Sequence, residues 1–282
     1  MNFSLSKDWC YALTLRYPVD KIKQYGKLFF YEKDNILVCQ HFFEFDTTKQ
    51  ELELLSKEIK DGKSIRFSYL NQNKLYNKIL SWSKKNNYKV EVIDEWDNPL
   101  LIMKDSITMQ DYLKNNSHTQ VKRNYQKYIK YGNKYKYVFS DSSNRLELWS
   151  DVLKIDSDSW KKEENSDMKS LNREDLQYLP FLLKQENNSS LLVVYDEKEK
   201  PLAYSLMFKN YDSFWYAVKW GASNNGRENY VGIYCLIKHL EYLNQKEKDL
   251  KIDFWGRRNR VYDSLKNDSI SRNHIVISNG VE

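Results

Sequence analysis

The run FWYAVKWGASNNGRENYVGIYCLIKHLEYLNQKEKDLKIDFW, from Phe214 to Trp255, decides how this chain folds. It starts as an aromatic, apolar stretch of strand character and passes into a polar junction, Trp220 to Gly232, holding three glycines: Gly221, Gly226 and Gly232. Past the junction, apolar residues recur at Ile233, Leu236, Ile237, Leu240 and Leu243, the 3.6-residue spacing of an amphipathic helix. KIDFWG, from Lys251 to Gly256, then reads as a short buried strand. A helix that returns the chain to the same sheet makes its two flanking strands parallel and the crossover right-handed.

Upstream, SSLLVVYDE and PLAYSLMFK join SFWYAVKWGAS as three apolar runs separated by the turn segments EKEK and NYD. They predict a three-stranded antiparallel meander, so the last third has the order β-β-β-α-β. The first third alternates element types as well. Lys27 to Phe45 predicts a hairpin about Lys33-Asp34-Asn35, and TTKQELELLSKEIKDG an amphipathic helix with a threonine N-cap. A strand at Ser64–Leu70, a helix at Asn73–Asn86 and a strand at Tyr88–Met103 follow. The middle predicts one helix from Thr108 to Tyr131 stopped by Gly132, another over Leu146–Trp160, and a third over Asn172–Gln185 that Pro180 interrupts.

Composition narrows the class. In 282 residues, hydrophobic residues make up 41% and aromatics 15%, which excludes a disordered chain despite 30% charge. The net charge of +6 suits an anionic partner without specifying one. Cys10, Cys39 and Cys235 are odd in number and far apart, so a disulfide framework is not expected and a reducing compartment is. His41, His118, His239 and His274 show no paired spacing for a metal, and none is expected. The N-terminal segment has no apolar core of leader type and no run reaches membrane-span length, so the expectation is a soluble, cytoplasmic protein. One charge feature stands out. Between Asp111 and Asp141 lie seven Lys or Arg and no carboxylate: either a solvated helix face or a cationic wall for an anionic ligand.

The junction at Trp220–Gly232 is where chemistry is expected. A helix start beside glycine offers unpaired N–H groups and a positive dipole end, which suits pyrophosphate, and Arg227 adds a bidentate donor. An ordinary polar loop entering a helix has the same composition. No G-x-G-x-x-G fingerprint or Walker lysine is present, so dinucleotide and P-loop readings lack support.

From Ser106 to about Lys266 the chain resembles the GNAT superfamily of acyltransferases, in the branch related to Fem-type aminoacyl transferases. The pieces are the basic helix HTQVKRNYQKYIKYG, a segment ending at Trp160, the meander LLVVYDEKEKPLAYSLMF, the glycine-opened helix YVGIYCLIKHL, and IDFWGRRNRVYDSLK. Two departures stand out: the Q/R-x-x-G-x-G/A phosphate loop keeps only its last glycine, Gly232, and Asp263 interrupts the usual Tyr-Lys pairing after Tyr262. The resemblance implies an α/β (α+β) fold with a mixed, mainly antiparallel sheet flanked by helices. It further implies tandem GNAT-like halves, a degenerate one over residues 1–105 and the acyltransferase domain over 106–282.

The resemblance also implies roles. Acetyl-CoA or another acyl-CoA would lie between the two strands where they diverge, with backbone amides of Trp220, Gly221 and Ala222 along the thioester arm. Gly226, Arg227, Tyr230, Gly232 and Ile233 would meet the pyrophosphate. Tyr262 is the candidate general acid, and Asp253 a candidate base, although strand alternation lets it point away. Trp160, Trp255 and Arg258 are candidates for the acceptor, with Arg257 and Arg260 beside the last. Trp160, Trp255 and Tyr262 serve equally as packing aromatics, and His239 as a buried structural histidine. The leading expectation is N-acylation of a small amine such as an amino sugar or amino acid. A Fem-type donor, aminoacyl-tRNA, and a non-catalytic protein with Trp220 and Tyr230 plugging the donor cleft are the alternatives.

Overall fold

The computed structural model describes residues 11–12, 14, 21–40, 47–71, 73–116, 118–140, 144–159, 162, 179–181, 183, 188–211, 213–255 and 259–280. It has two compact units, Met1–Asn98 with Ser269–Glu282, and Pro99–Asp268. The division thus falls at Asn98/Pro99, where the sequence placed it at 105/106, and the last strand rejoins the first unit.

In the first unit, β1 (Lys21–Tyr25), β2 (Leu28–Lys33) and β3 (Ile36–Gln40) form an antiparallel meander. Asp34 and Asn35 make the β2–β3 turn at φ 49° and 63°, left-handed at both positions as a two-residue hairpin of this twist requires. Helix α1 (Lys49–Lys60) begins at Thr48, whose hydroxyl accepts the Glu51 N–H while the Glu51 carboxylate takes the Thr48 N–H. The chain returns as β4 (Ser64–Asn71), parallel to β3 from Ile36↔Ser64 to Gln40↔Ser68. Helix α2 (Lys74–Lys85), capped by Asn73, and β5 (Tyr88–Ile102) follow. Strand β11 (Asp268–Asn279), absent from the sequence reading, pairs antiparallel with β4. Phe30, Leu37, Ile65, Phe67, Ile275 and Ile277 on one sheet face bury against Leu52, Leu55 and Ile59 of α1.

In the second unit, the predicted helix Thr108–Tyr131 is two helices, α3 (Met109–Asn115) and α4 (Thr119–Gly132). Asn116 breaks it: extended at ψ 131°, it accepts the His118 N–H on its side-chain oxygen, a local bond that competes with the helix. Strand β6 (Lys136–Phe139) and α5 (Arg145–Ser157) come next; most of Asn172–Gln185 lies outside the described residues. The meander is β7 (Ser189–Tyr195), β8 (Pro201–Tyr211) and β9 (Phe214–Ala222). A short helix, α6 (Asn224–Glu228), precedes α7 (Val231–Lys246), and β10 (Lys251–Asp253) returns parallel to β9. Helix α8 (Arg260–Leu265) closes the unit. Strand order is β10-β9-β8-β7-β6, with Leu100–Ile102 of β5 antiparallel on the far side of β10.

Leu236, Leu240 and Leu243 of α7 are at most 1% exposed. Each such burial contributes about 1.5–3 kcal/mol, so the seat against β7, β8 and β9 holds α7 more than its own propensity does. Both units repeat β-β-β-α-β with a parallel closing pair, and the sheet is mixed and mainly antiparallel with helices packed on it, the class expected from the sequence.

Candidate functional site

Strand β10 is short, and that shapes the site. It pairs with β9 from Lys251↔Phe214 to Asp253↔Tyr216 only. Beyond Tyr216, β9 runs on to Ala222 paired to β8 alone among the described residues. The chain after Asp253 turns aside: the fully buried Asp253 carboxylate accepts the Trp255 N–H at 2.8 Å, and Trp255 takes a left-handed φ of 28°. Where the strands part, a pocket of about 470 Å³ opens, lined by Trp220, Gly221, Ala222, Arg227, Tyr230, Gly232, Ile233 and Val261.

The junction folds differently from an open phosphate loop. Ser223 caps α6, with its hydroxyl accepting the Gly226 N–H at 3.1 Å. The Arg227, Asn229 and Tyr230 amides donate to the Ser223, Asn225 and Arg227 carbonyls. Gly226 is buried, and a Cβ there would lie 2.3 Å from the Leu202 carbonyl oxygen. Its place is a close approach of two backbones, and it does not line the pocket. The donors left at this end are those of the first turn of α7, whose N-cap, Tyr230, makes no side-chain capping bond. Tyr230 adopts φ 60°, a conformation glycine takes more easily, at the place where the phosphate-loop pattern has its first glycine. Gly232 lets this helix start meet the end of β9: a Cβ on it would sit 3.2 Å from both the Ala222 Cβ and the Trp220 ring.

Tyr262 stands at the start of α8, where Asn259 accepts the Val261 and Tyr262 N–H groups. Its ring stacks on Phe254 at 4.7 Å and lies 6.2 Å from the Trp220 ring. Burial pushes the phenol well above its ordinary range, with the nearby Trp220 indole pulling weakly the other way. At neutral pH the hydroxyl keeps its proton, and burial makes it a weaker acid than an ordinary phenol, so its candidacy as a proton donor rests on its place beside the pocket. The Asn124 amide donates to Ser264 Oγ at 3.0 Å, fixing α8 against α4.

Helix α4 brings the cations. Val121, Asn124 and Tyr128 face the core, leaving Lys122, Arg123, Lys127 and Lys130 outward. Lys127 sits over the Tyr230 ring, 3.4 Å from its centroid, at the pocket rim. No carboxylate among the described residues pairs with these four or with Lys114 and Lys134; Lys136 pairs with Glu199.

Seven of the eight residues proposed for the donor thus gather round one pocket, with Tyr262 next to it. Asp253 is buried as a turn cap, and Trp255 packs 6.1 Å from the Tyr216 ring. Trp160, Arg257 and Arg258 lie outside the described residues. His239 is fully buried between Ser205 Oγ at 2.9 Å and Ser190 Oγ at 2.8 Å, and burial holds it down to about 3 despite the Ser205 contact. Val261 and Lys127 were missed. Val261 precedes Tyr262 directly, and the carboxylate-free run was the signal for Lys127.

No family profile and no curated protein match the sequence. Solved structures do match. L-PGS from Bacillus licheniformis superposes with a TM-score of 0.63 at 10% identity, over 98% of this chain and 93% of that one. FemX gives 0.65 at 12% identity, over 96% and 90%. A conserved protein of Bacteroides thetaiotaomicron gives 0.66 at 10%, over 98% and 91%. At such identities the likeness is one of fold, and the chain shares its fold with L-PGS and FemX over nearly all of its length.

Proposed function

We propose that the chain is an acyltransferase that moves an acyl group from acyl-CoA, acetyl-CoA being the first candidate, to the amine of a small acceptor such as an amino sugar or amino acid. The observation that carries this is the parted strand pair: β9 keeps an edge free of β10 from Ala217 to Ala222, and an apolar pocket opens beside it. A pantetheine arm needs such a slot, with strand amides to hold it. The acceptor nitrogen adds to the thioester carbonyl while N–H groups of that edge stabilise the oxyanion. The C–S bond breaks, and the thiolate takes the Tyr262 hydroxyl proton. The phenolate recovers a proton from the new ammonium through water. Asp253 acts here as a positioning residue, holding the turn that keeps the strands apart. An open pocket weighs against the non-catalytic reading.

A second reading has its own support. The amides of Gly226, Arg227, Asn229 and Tyr230 are engaged within α6, leaving few donors for a CoA pyrophosphate, while the unpaired cations of α4 approach the pocket through Lys127. These favour aminoacyl-tRNA, the donor of Fem-type enzymes. Calorimetry with acetyl-CoA tests the first reading: micromolar binding supports it, and no binding at high micromolar concentration removes it. Affinity for tRNA that falls steeply with salt moves the assignment to the second; a flat salt response excludes it.

A further inference from the structure

The first unit carries a cavity of its own, about 400 Å³, whose walls include Tyr31, Lys33, Arg66, Ser68, Tyr69 and His274, with the exposed carboxylate of Asp34 also in its lining. By strand alternation Tyr31, Lys33, Arg66, Ser68 and His274 lie on the sheet face opposite α1, since Phe30, Ile65, Phe67 and Ile275 point to the core. Tyr69 joins them through a break in the alternation of β4, after which Leu70 returns to the core. Arg66 is only partly exposed, and its Nη2 lies 3.1 Å from His274 Nδ1. A guanidinium only donates, so Nδ1 accepts and the imidazole proton resides on Nε2. No carboxylate among the described residues pairs with Arg66 or with Lys33. Arg66 Nε and His274 Nε2 are buried with no acceptor, and the Asp34 carboxylate in the lining is exposed and pairs with neither Arg66 nor Lys33. Buried or half-buried cations are ordinarily paired, and here the partner is a neutral ring.

The wall is also rigid. Between Asn273↔Leu70 and Ile275↔Phe67 the β4–β11 register slips, with Tyr69 at a left-handed φ of 62°. Such a conformation is costly for a bulky side chain, and bulges of this kind re-aim side chains next to sites. Tyr69 meets His274 edge-on at 4.7 Å and Trp96 at 5.6 Å, and Trp96 lies 4.6 Å from His274. The aromatic cluster thus fixes the imidazole that fixes Arg66.

We propose that this cavity binds a small ligand through a carboxylate or phosphate group, with Arg66 as the principal partner, Lys33 at the rim and Tyr31 and Tyr69 as flanking surfaces. The inference is independent of the reaction assigned to the second unit. The test is calorimetry and thermal shift on the full chain at low ionic strength, with sodium phosphate and sodium succinate as probes and sodium chloride at matched ionic strength as reference. The expected result is that one of the two binds and raises the melting temperature above the chloride reference, phosphate or succinate telling which group the site takes. R66Q should weaken that binding by about 10-fold or more, R66K by less, and K33Q by about 3-fold. Should R66Q fail to fold, K33Q at the rim still reports. Binding of neither probe overturns the proposal, as does binding left unchanged by R66Q or, where that variant is unfolded, by K33Q.

Discussion

The ammonium of Lys127 lies 3.4 Å from the centroid of the Tyr230 ring, joining the cationic helix α4 to the residue that opens α7. An exposed contact of this kind is worth about 0.5–1 kcal/mol, too little to hold two helices together. Val121 and Tyr128 do that from the core side. What Lys127 contributes is a positive charge at the pocket rim. K127A should therefore leave unfolding in urea within about 0.5 kcal/mol of the parent and weaken an anionic donor about 3- to 10-fold. Under the RNA reading it should also lower the salt slope by about one. Donor affinity that does not change separates Lys127 from the site.

Tyr262 is tested by removing one oxygen. Y262F keeps the stack on Phe254 and loses only the hydroxyl, so donor affinity should stay close to the parent. If the phenol protonates the leaving group, turnover falls about 10²- to 10⁴-fold. A turnover change under threefold would leave Tyr262 a packing residue.

Much of this was legible in the sequence, for physical reasons that differ between elements. The α7 register follows from Leu236, Leu240 and Leu243, because burial of that stripe overrides every local preference. The capping box of α1 was half-read at the threonine, and Glu51 supplies the other half. The β10 strand was read too long, since Phe254 and Trp255 are apolar but leave the ladder where Asp253 caps the turn. Strand β11 has no counterpart among the sequence expectations, although Ile275 and Ile277 alternate as a strand would, and nothing local says that a C-terminal strand returns to the first unit beside β4. The pocket's glycines were found as a group, and only coordinates separate Gly232, at the rim, from Gly226, which packs on Leu202. A composition rule cannot see which amides a serine cap will engage.

His239 gives a pH dependence with a definite sign. Burial holds the native imidazole at about 3, against about 6.5 when exposed in the unfolded chain. The unfolded state thus binds the proton first as pH falls, so the neutral ring's contribution is complete above about pH 6.5 and is lost progressively toward pH 3. Urea midpoints measured from pH 7.5 to 4 should decline across that window. H239A opens a cavity and strands two serine hydroxyls, at a cost of about 2–4 kcal/mol, and should flatten the decline. An equally steep decline in H239A would assign it to other groups.

The two glycines of the junction predict opposite outcomes from the same added methyl. In G226A the new Cβ would fall 2.3 Å from a backbone oxygen in the middle of the sheet, which cannot yield without shifting β8 or α6. Stability should drop by about 1–3 kcal/mol, with the donor pocket affected only through that displacement. In G232A the neighbours at 3.2 Å are the Ala222 methyl and the edge of the Trp220 ring, and the ring can turn by a few tenths of an ångström. The stability cost should stay under about 1 kcal/mol, while the ring moves into the space beside Tyr262 and changes tryptophan emission and donor affinity together. Urea unfolding and acetyl-CoA calorimetry on both variants separate the cases. If G232A lowers stability as much as G226A and leaves binding intact, the junction is a packing feature and the donor site lies elsewhere.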